Sequence, residues 1–194
     1  TLISAIAGVI QPTGGKIVFD GKDLTRAAPS EKVVAGLGYG PQGGESFRSL
    51  SVTDNLILGG YALDDQSVIP DRLKRVHELF PPLWERRNSR AGSLSGGERQ
   101  MLSLGALLIA SPKLVILDEP SGGLSPLMVD RMYDAIRDVS GKLGASVLLV
   151  EQEAHHALEI AHRAYVLANG QVRYAGGAKE LANSPELGNL LLGF

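Results

Sequence analysis

Residues 94–120 read LSGGERQMLSLGALLIASPKLVILDEP, and this stretch decides the fold. It opens on Leu94-Ser95-Gly96-Gly97-Glu98 and closes on Asp118-Glu119-Pro120. Ser95 with Glu98 three residues on is a capping box, the mark of a helix start. Capping gives no reason for Gly96 and Gly97, each of which costs up to ~1 kcal/mol against alanine inside a helix. Removing two side chains at the positive end of a helix dipole exposes backbone N–H groups and makes an anion site. Ser95 adds a hydroxyl donor. A phosphate ligand explains the whole pentad, whereas capping explains half of it. Glu98–Ala110 then reads as a helix, followed by Leu114–Leu117, a continuous apolar run that suits a buried parallel strand. Two acids end that run. In open α/β sheets the carboxyl edge is where ligands sit, although an acidic turn after a strand is the bland alternative. The order of the pieces favours a site, since Asp118 follows Ser95 by 23 residues, room for one helix. Asp118 can hold Mg²⁺, which prefers few carboxylates and several waters. Glu119 can orient or deprotonate an attacking water.

Outward from this stretch, both flanks alternate strands and helices. Residues 2–10 suit a buried helix closed by Gly8 and Pro12. Lys16–Asp20 suits a short strand turning at Gly21, and a helix is expected from Ser30 with Ser30 as its cap. Leu37–Gly40 is a short strand. Gly43 to about Ala110 is helical in character, with Thr53–Gly59 and Asp71–Phe80 as further helices and Pro81-Pro82 as a break. Beyond Lys113, Pro126–Lys142 is a helix of crossover length and Ser146–Val150 a second buried strand. Residues 163–168 and 171–175 form a hairpin through Asn169-Gly170. Lys179–Phe194 is expected to be helical, with Pro185 starting a second piece. The pattern predicts an α/β core, residues 1–42 and 111–194, with a helical insertion at 43–110.

Composition narrows the function. The 194 residues are 44% hydrophobic and 21% charged, which is ordinary globular composition. Nineteen Lys and Arg against 21 Asp and Glu leave a net charge of −2, so no strong field draws the chain to nucleic acid. Aromatics are only 5%, which argues against base-stacking platforms. Cysteine is absent, which excludes disulfides, thiolate catalysis and Cys-ligated metals. No apolar run reaches the ~20 residues that span a bilayer. The chain starts without Met and without a signal peptide, as a piece cut from something longer would, and an intracellular setting is the default.

With LSGGE and LVILDE placed, the sequence resembles the ATP-binding-cassette (ABC) ATPases over essentially its whole length. LSGGE is similar to their signature motif and LVILDE to their Walker B strand. Tyr39-Gly40-Pro41-Gln42 resembles the Q-loop. Ser121-Gly122-Gly123-Leu124-Ser125-Pro126 resembles the D-loop, and Gln152 in Val150-Glu151-Gln152 falls at the switch position. Within the family, GSLSGGERQ, SGGLSP, LLVEQ and the ending LLLGF look most like importers of branched-chain amino acids or related amides.

The resemblance implies a P-loop NTPase-like α/β fold with a mostly parallel sheet and an inserted helical subdomain. It implies ATP and Mg²⁺ as ligands. It also implies two such subunits head to tail, homo- or heterodimeric, under transmembrane permease subunits on the inner face of the membrane. Gln42 and Asp118 would attend Mg²⁺, Glu119 would be the general base, and Gln152 would contact the γ-phosphate. Leu94, Ser95, Gly96, Gly97 and Glu98 would meet the partner's nucleotide, beside the D-loop Ser121, Gly122, Gly123, Leu124 and Ser125. Residues 43–60 would receive a permease helix.

The departures are equally specific. No G-x-x-x-x-G-K-[ST] occurs in the 194 residues; at Gly14-Gly15-Lys16, Ile10 and Ile17 break the pattern. As it stands, the chain is expected to hydrolyse no ATP, which keeps a non-catalytic interaction module as the alternative, with an ABC ATPase of a non-transport process as a third reading. Gln152 stands where most of the superfamily has His, a replacement familiar in the amino-acid importer branch. Gly105-Ala106 stands where the family often has a Gly-Arg or Ala-Arg pair. Gly38-Tyr39-Gly40-Pro41-Gln42-Gly43 matches G-x-G-x-x-G, but a lone match is weak. His155 and His156 point to different helix faces, and Trp84 with Arg86 and Arg87 reads as a solvated basic face.

Overall fold

The computed structural model describes residues 1–152, 154–185 and 188. The chain divides into two compact units, Thr1–Val150 and Glu151–Phe194.

In the first unit the elements run α1 (Leu2–Ala7), β1 (Val18–Phe19), β2 (Lys22–Asp23), α2 (Pro29–Ala35) and β3 (Leu37–Gly40). Then follow α3 (Val52–Leu58), α4 (Ile69–Leu79), α5 (Pro81–Glu85) and α6 (Gly96–Ile109). The unit ends with β4 (Leu114–Asp118), α7 (Pro126–Leu143) and β5 (Ser146–Val150). Strands β3, β4 and β5 form a parallel sheet in that order, with Tyr39 opposite Ile116 and Asp118 opposite Val150. Val115, Ile116 and Leu117 are buried, because the central strand is covered on both faces. On one face Ile116 packs with Ile3, Leu24 and Leu37. On the other, Leu117 lines a small cavity together with Leu104 of α6 and Met132 of α7.

Residues 43–110 carry α3 to α6. Their close packing explains the small residues in α6: a Cβ on Gly105 would lie 2.9 Å from Val76 and 3.0 Å from Leu56. That gives Gly105 a packing role between helices.

Lys32 is 1% exposed, yet it carries a charge. Its Nζ donates to the carbonyls of Ala5 (3.1 Å) and Ile6 (2.9 Å), satisfying the last turn of α1. Burial holds its pKa below the ordinary lysine value.

The second unit holds α8 (Ala154–Ile160), the hairpin β6 (Arg163–Ala168) and β7 (Gln171–Gly177), and α9 (Ala178–Ala182). Its core is Leu158, Val166, Ala178 and Leu181.

Three expectations are corrected. The helix read from Ser30 starts at Pro29 with Ala28 as its cap residue, because Pro suits the first helical position and Glu31 reaches back to the Ala28 N–H (2.6 Å). Pro81-Pro82 begins α5 rather than merely breaking the helical region, for the same reason. β5 is only half-buried, since it is the edge of the described sheet. The helical piece expected after Pro185, including the LLLGF ending, lies outside the described residues apart from Gly188. No helix among the described residues is long and apolar enough to cross a membrane.

Candidate functional site

Asp118 ends the central strand, and Glu119 is the first residue beyond it. Glu119 has φ +49°, a left-handed conformation that costs an ordinary residue roughly 1–2 kcal/mol. Two backbone hydrogen bonds hold it there: Glu119 N–H donates to Val150 O (2.9 Å), and Gly122 N–H donates to Glu119 O (3.1 Å). Strain retained at a polar strand end is characteristic of functional positions. The kink takes the Glu119 side chain off the strand line, where Gln42 Nε2 donates to its Oε2 at 2.7 Å. Residues 77 apart in sequence are thus joined directly at the carboxyl edge of the sheet. Beside them, burial and then the Asp118 charge push the Tyr39 phenol above its ordinary pKa.

The donor set fits a Mg²⁺ ion. Two adjacent, half-exposed carboxylates and one amide offer only hard oxygens. No ion pair neutralises Asp118 among the described residues. The Gln42 amide is engaged through its nitrogen, so its oxygen can face a cation.

The glycine-rich helix start resolves residue by residue. Ser95 caps α6: its Oγ accepts from Glu98 N–H (3.3 Å), and Glu98 Oε2 accepts from Ser95 N–H (2.7 Å). Glu98 also meets Arg86 at 3.3 Å. Burial raises its pKa, but the Ser95 and Arg86 hydrogen bonds outweigh that and hold it below the usual glutamate value. Leu94 is 4% exposed and belongs to the core. Gly97 is buried, and a Cβ there would lie 2.7 Å from Met128 Cε and 3.4 Å from Leu124 Cδ2. Gly96 is exposed, with nothing within 4 Å of a Cβ built on it. Of the five residues, therefore, Ser95 and Gly96 present open surface, while the missing side chain of Gly97 is accounted for by Met128 of α7, with Leu124 of the preceding loop beside it. Residues 121–125 form that loop between β4 and α7, with Gly122 and Gly123 exposed. Gln152 lies in the second unit and is exposed.

The G-x-G-x-x-G run does not build a dinucleotide site. A Cβ on Gly38 would lie 2.7 Å from Leu107, so this glycine admits α6 against β3. The next helix begins only at Val52.

One residue, quoted within GSLSGGERQ, was given no role by the sequence. Gln100, on α6, is 7% exposed, and its Nε2 donates to Gly122 O at 3.3 Å. The signal was a polar residue on the same helical face as Leu104 and Leu107.

The family model described as ABC transporter matches residues 1–122. The high-affinity branched-chain amino acid transport ATP-binding protein BraG of Pseudomonas aeruginosa is 37% identical, over 100% of this chain and 82% of its own length. The lipopolysaccharide export system ATP-binding protein LptB of Acidithiobacillus ferridurans is 32% identical, over 100% of this chain and 80% of its own. Among solved structures, the ADP conformation of MJ1267, an ATP-binding cassette of an ABC transporter, has a TM-score of 0.84 at 23% identity. That match covers 100% of this chain and 82% of MJ1267, and it supports the fold.

Proposed function

This chain belongs to the ABC transporter family as an ATPase subunit, and on that premise we propose that it energises an importer of branched-chain amino acids or related amides. The observation that carries the ATPase chemistry is the Gln42–Glu119 hydrogen bond beside Asp118 at the carboxyl edge of β4. The name of BraG supports the substrate class.

Asp118 and the Gln42 oxygen would hold Mg²⁺, which supplies neutralisation of phosphate charge. Glu119 accepts a proton from the attacking water as the water oxygen bonds to the γ-phosphorus and the bond to the bridging oxygen breaks. The Gln42 amide fixes the carboxylate in place for that transfer. Ser95 and Gly96 offer a hydroxyl and open backbone N–H groups to the nucleotide of a second subunit, with loop 121–125 alongside. Gln152 keeps a hydrogen bond to the γ-phosphate without becoming a cation. The partners are that second subunit and transmembrane permease subunits, and the place of work is the inner face of the membrane. Residues 43–110 serve as the helical subdomain, of which 43–60 receive the permease.

Uptake of radiolabelled leucine tests the substrate class. Cells whose only copy carries Glu119→Gln are expected to lose uptake while keeping the protein. Undiminished uptake overturns the branched-chain amino acid assignment, and loss of lipopolysaccharide export instead, the process in LptB's name, overturns the importer reading.

A further inference from the structure

Gln100 is a primary amide in a tightly packed place. Loop residue Gly44 presses on it from one side: a Cβ there would lie 2.8 Å from Gln100 Cα and Cγ and 3.0 Å from its N. On the other side its Nε2 donates to Gly122 O (3.3 Å), and the Gly122 N–H donates to Glu119 O (3.1 Å). A cavity of about 20 Å³ separates the same pieces, lined among others by Gly40, Pro41, Leu117 and Pro120. Gln100 therefore stands where the loop carrying Gln42 and the loop leaving Glu119 both meet α6. One turn earlier on α6, Gly97 is seated on Leu124 and Met128 of the same stretch. The helix start and residues 121–128 are interlocked at two points a turn apart.

The amide is not explained by packing. Its Oε1 is buried with no hydrogen-bond partner among the described residues. Such a group costs free energy that an apolar side chain of similar size would avoid. What the amide supplies, and methionine or leucine could not, is the donor to Gly122 O.

We propose that Gln100 is a positioning residue coupling the two nucleotide sites in which one subunit takes part. Through Gly122 it keeps the strained Glu119 backbone in step with Ser95–Gly96. This rests on the reading that Ser95–Gly96 meet a nucleotide held by the other subunit, while Glu119 serves the subunit's own. Arrival of nucleotide at the helix start then fixes α6, α6 fixes Gly122 through the amide, and Gly122 fixes Glu119. Gln100 touches no substrate.

The test uses a P-loop-bearing form of the chain assembled as a dimer. Gln100→Met keeps the shape and removes the donor, and Gln100→Leu is measured beside it. The expected result for both is a kcat about tenfold lower, short of the ~10²-fold that a 1 Å misplacement of a catalytic group can cost. The KM for ATP should stay within about twofold, because ground-state binding is untouched. The Hill coefficient for ATP should fall towards 1, with melting close to that of the parent. Folded variants with parental kcat and Hill coefficient overturn the proposal, as does a loss confined to KM or proportional to lost stability. Glu119→Gln in the same series separates the two levels. Parental turnover there overturns the functional reading itself, whereas an inactive Glu119→Gln beside a fully cooperative Gln100→Met overturns the coupling role alone.

Discussion

Gly96 and Gly97 make a matched pair for asking whether the helix start is built for a ligand. Alanine at either position gains up to ~1 kcal/mol of helix propensity. At Gly96 nothing opposes the gain, since a Cβ there meets no atom within 4 Å. Gly96→Ala should be unchanged or stabilised by up to about 1 kcal/mol, a rise of up to about 2–4 °C in a chain of this size. At Gly97 the new methyl sits 2.7 Å from Met128 Cε and 3.2 Å from its Cγ. The end of that methionine can swing, but overpacking costs about 1–3 kcal/mol. Gly97→Ala should therefore range from neutral to about 2 kcal/mol destabilised. Function should order differently. The Gly96 methyl stands on the open surface where a phosphate would approach, so in a P-loop-bearing chain Gly96→Ala should lose ATP-dependent dimerisation and turnover while folding as well as the parent. In a mixed dimer the damaged site is the one whose P-loop belongs to the parental subunit. Thermal melting paired with ATPase assays reads both effects. A stable Gly96→Ala with parental turnover refutes the phosphate reading and leaves Ser95–Glu98 as a capping box only.

Further outcomes follow from buried groups. Burial, and then Arg87, hold the His77 pKa below its ordinary 6.5. The neutral imidazole is thus the folded form, and stability should be full above the unfolded value and fall as pH drops through the lower folded value. His77→Phe should flatten that acid-side loss in melting temperature; an unchanged slope counts against it. Lys32→Met removes the two hydrogen bonds to Ala5 and Ile6 and should cost about 1.5–3 kcal/mol in chemical denaturation, the range for bonds to a charged group. A neutral result would mean that the Gly8 cap of α1 suffices without Lys32. The 194 residues as printed should release no phosphate from ATP above background; release that vanishes in Glu119→Gln would show that catalysis survives without the P-loop.

Much of the fold was legible where one face repeats. LVIL and SVLLV read as strands because parallel strands are continuous apolar runs, and Asn169-Gly170 announced the hairpin. Exposure of β5 was not legible, because an apolar run looks the same at an edge and at a centre. Of the site, Asp118-Glu119 and Ser95–Glu98 were visible because their chemistry is local. The Gln42–Glu119 bond joins distant loops, and no spacing in the sequence encodes it; the family resemblance brought Gln42 forward. Gln100 and Lys32 were hidden for one reason: a polar side chain on a helix reads as surface until the partner carbonyls are placed. Gly97 was visible but half understood, since its neighbours Leu124 and Met128 come from beyond the next strand.

The central claim is that Glu119, at the kinked end of β4 and held by Gln42, is the base of an ATPase. Single-turnover hydrolysis of ATP with Mg²⁺ by a P-loop-bearing chain, parent against Glu119→Gln, tests it most directly. The amide is nearly isosteric but cannot accept the proton, so hydrolysis should slow by about 10²–10⁴-fold with nucleotide affinity retained, and ATP should hold the variant as a dimer on size exclusion. Turnover at the parental rate, or loss of nucleotide binding equal to the loss of rate, would contradict the account.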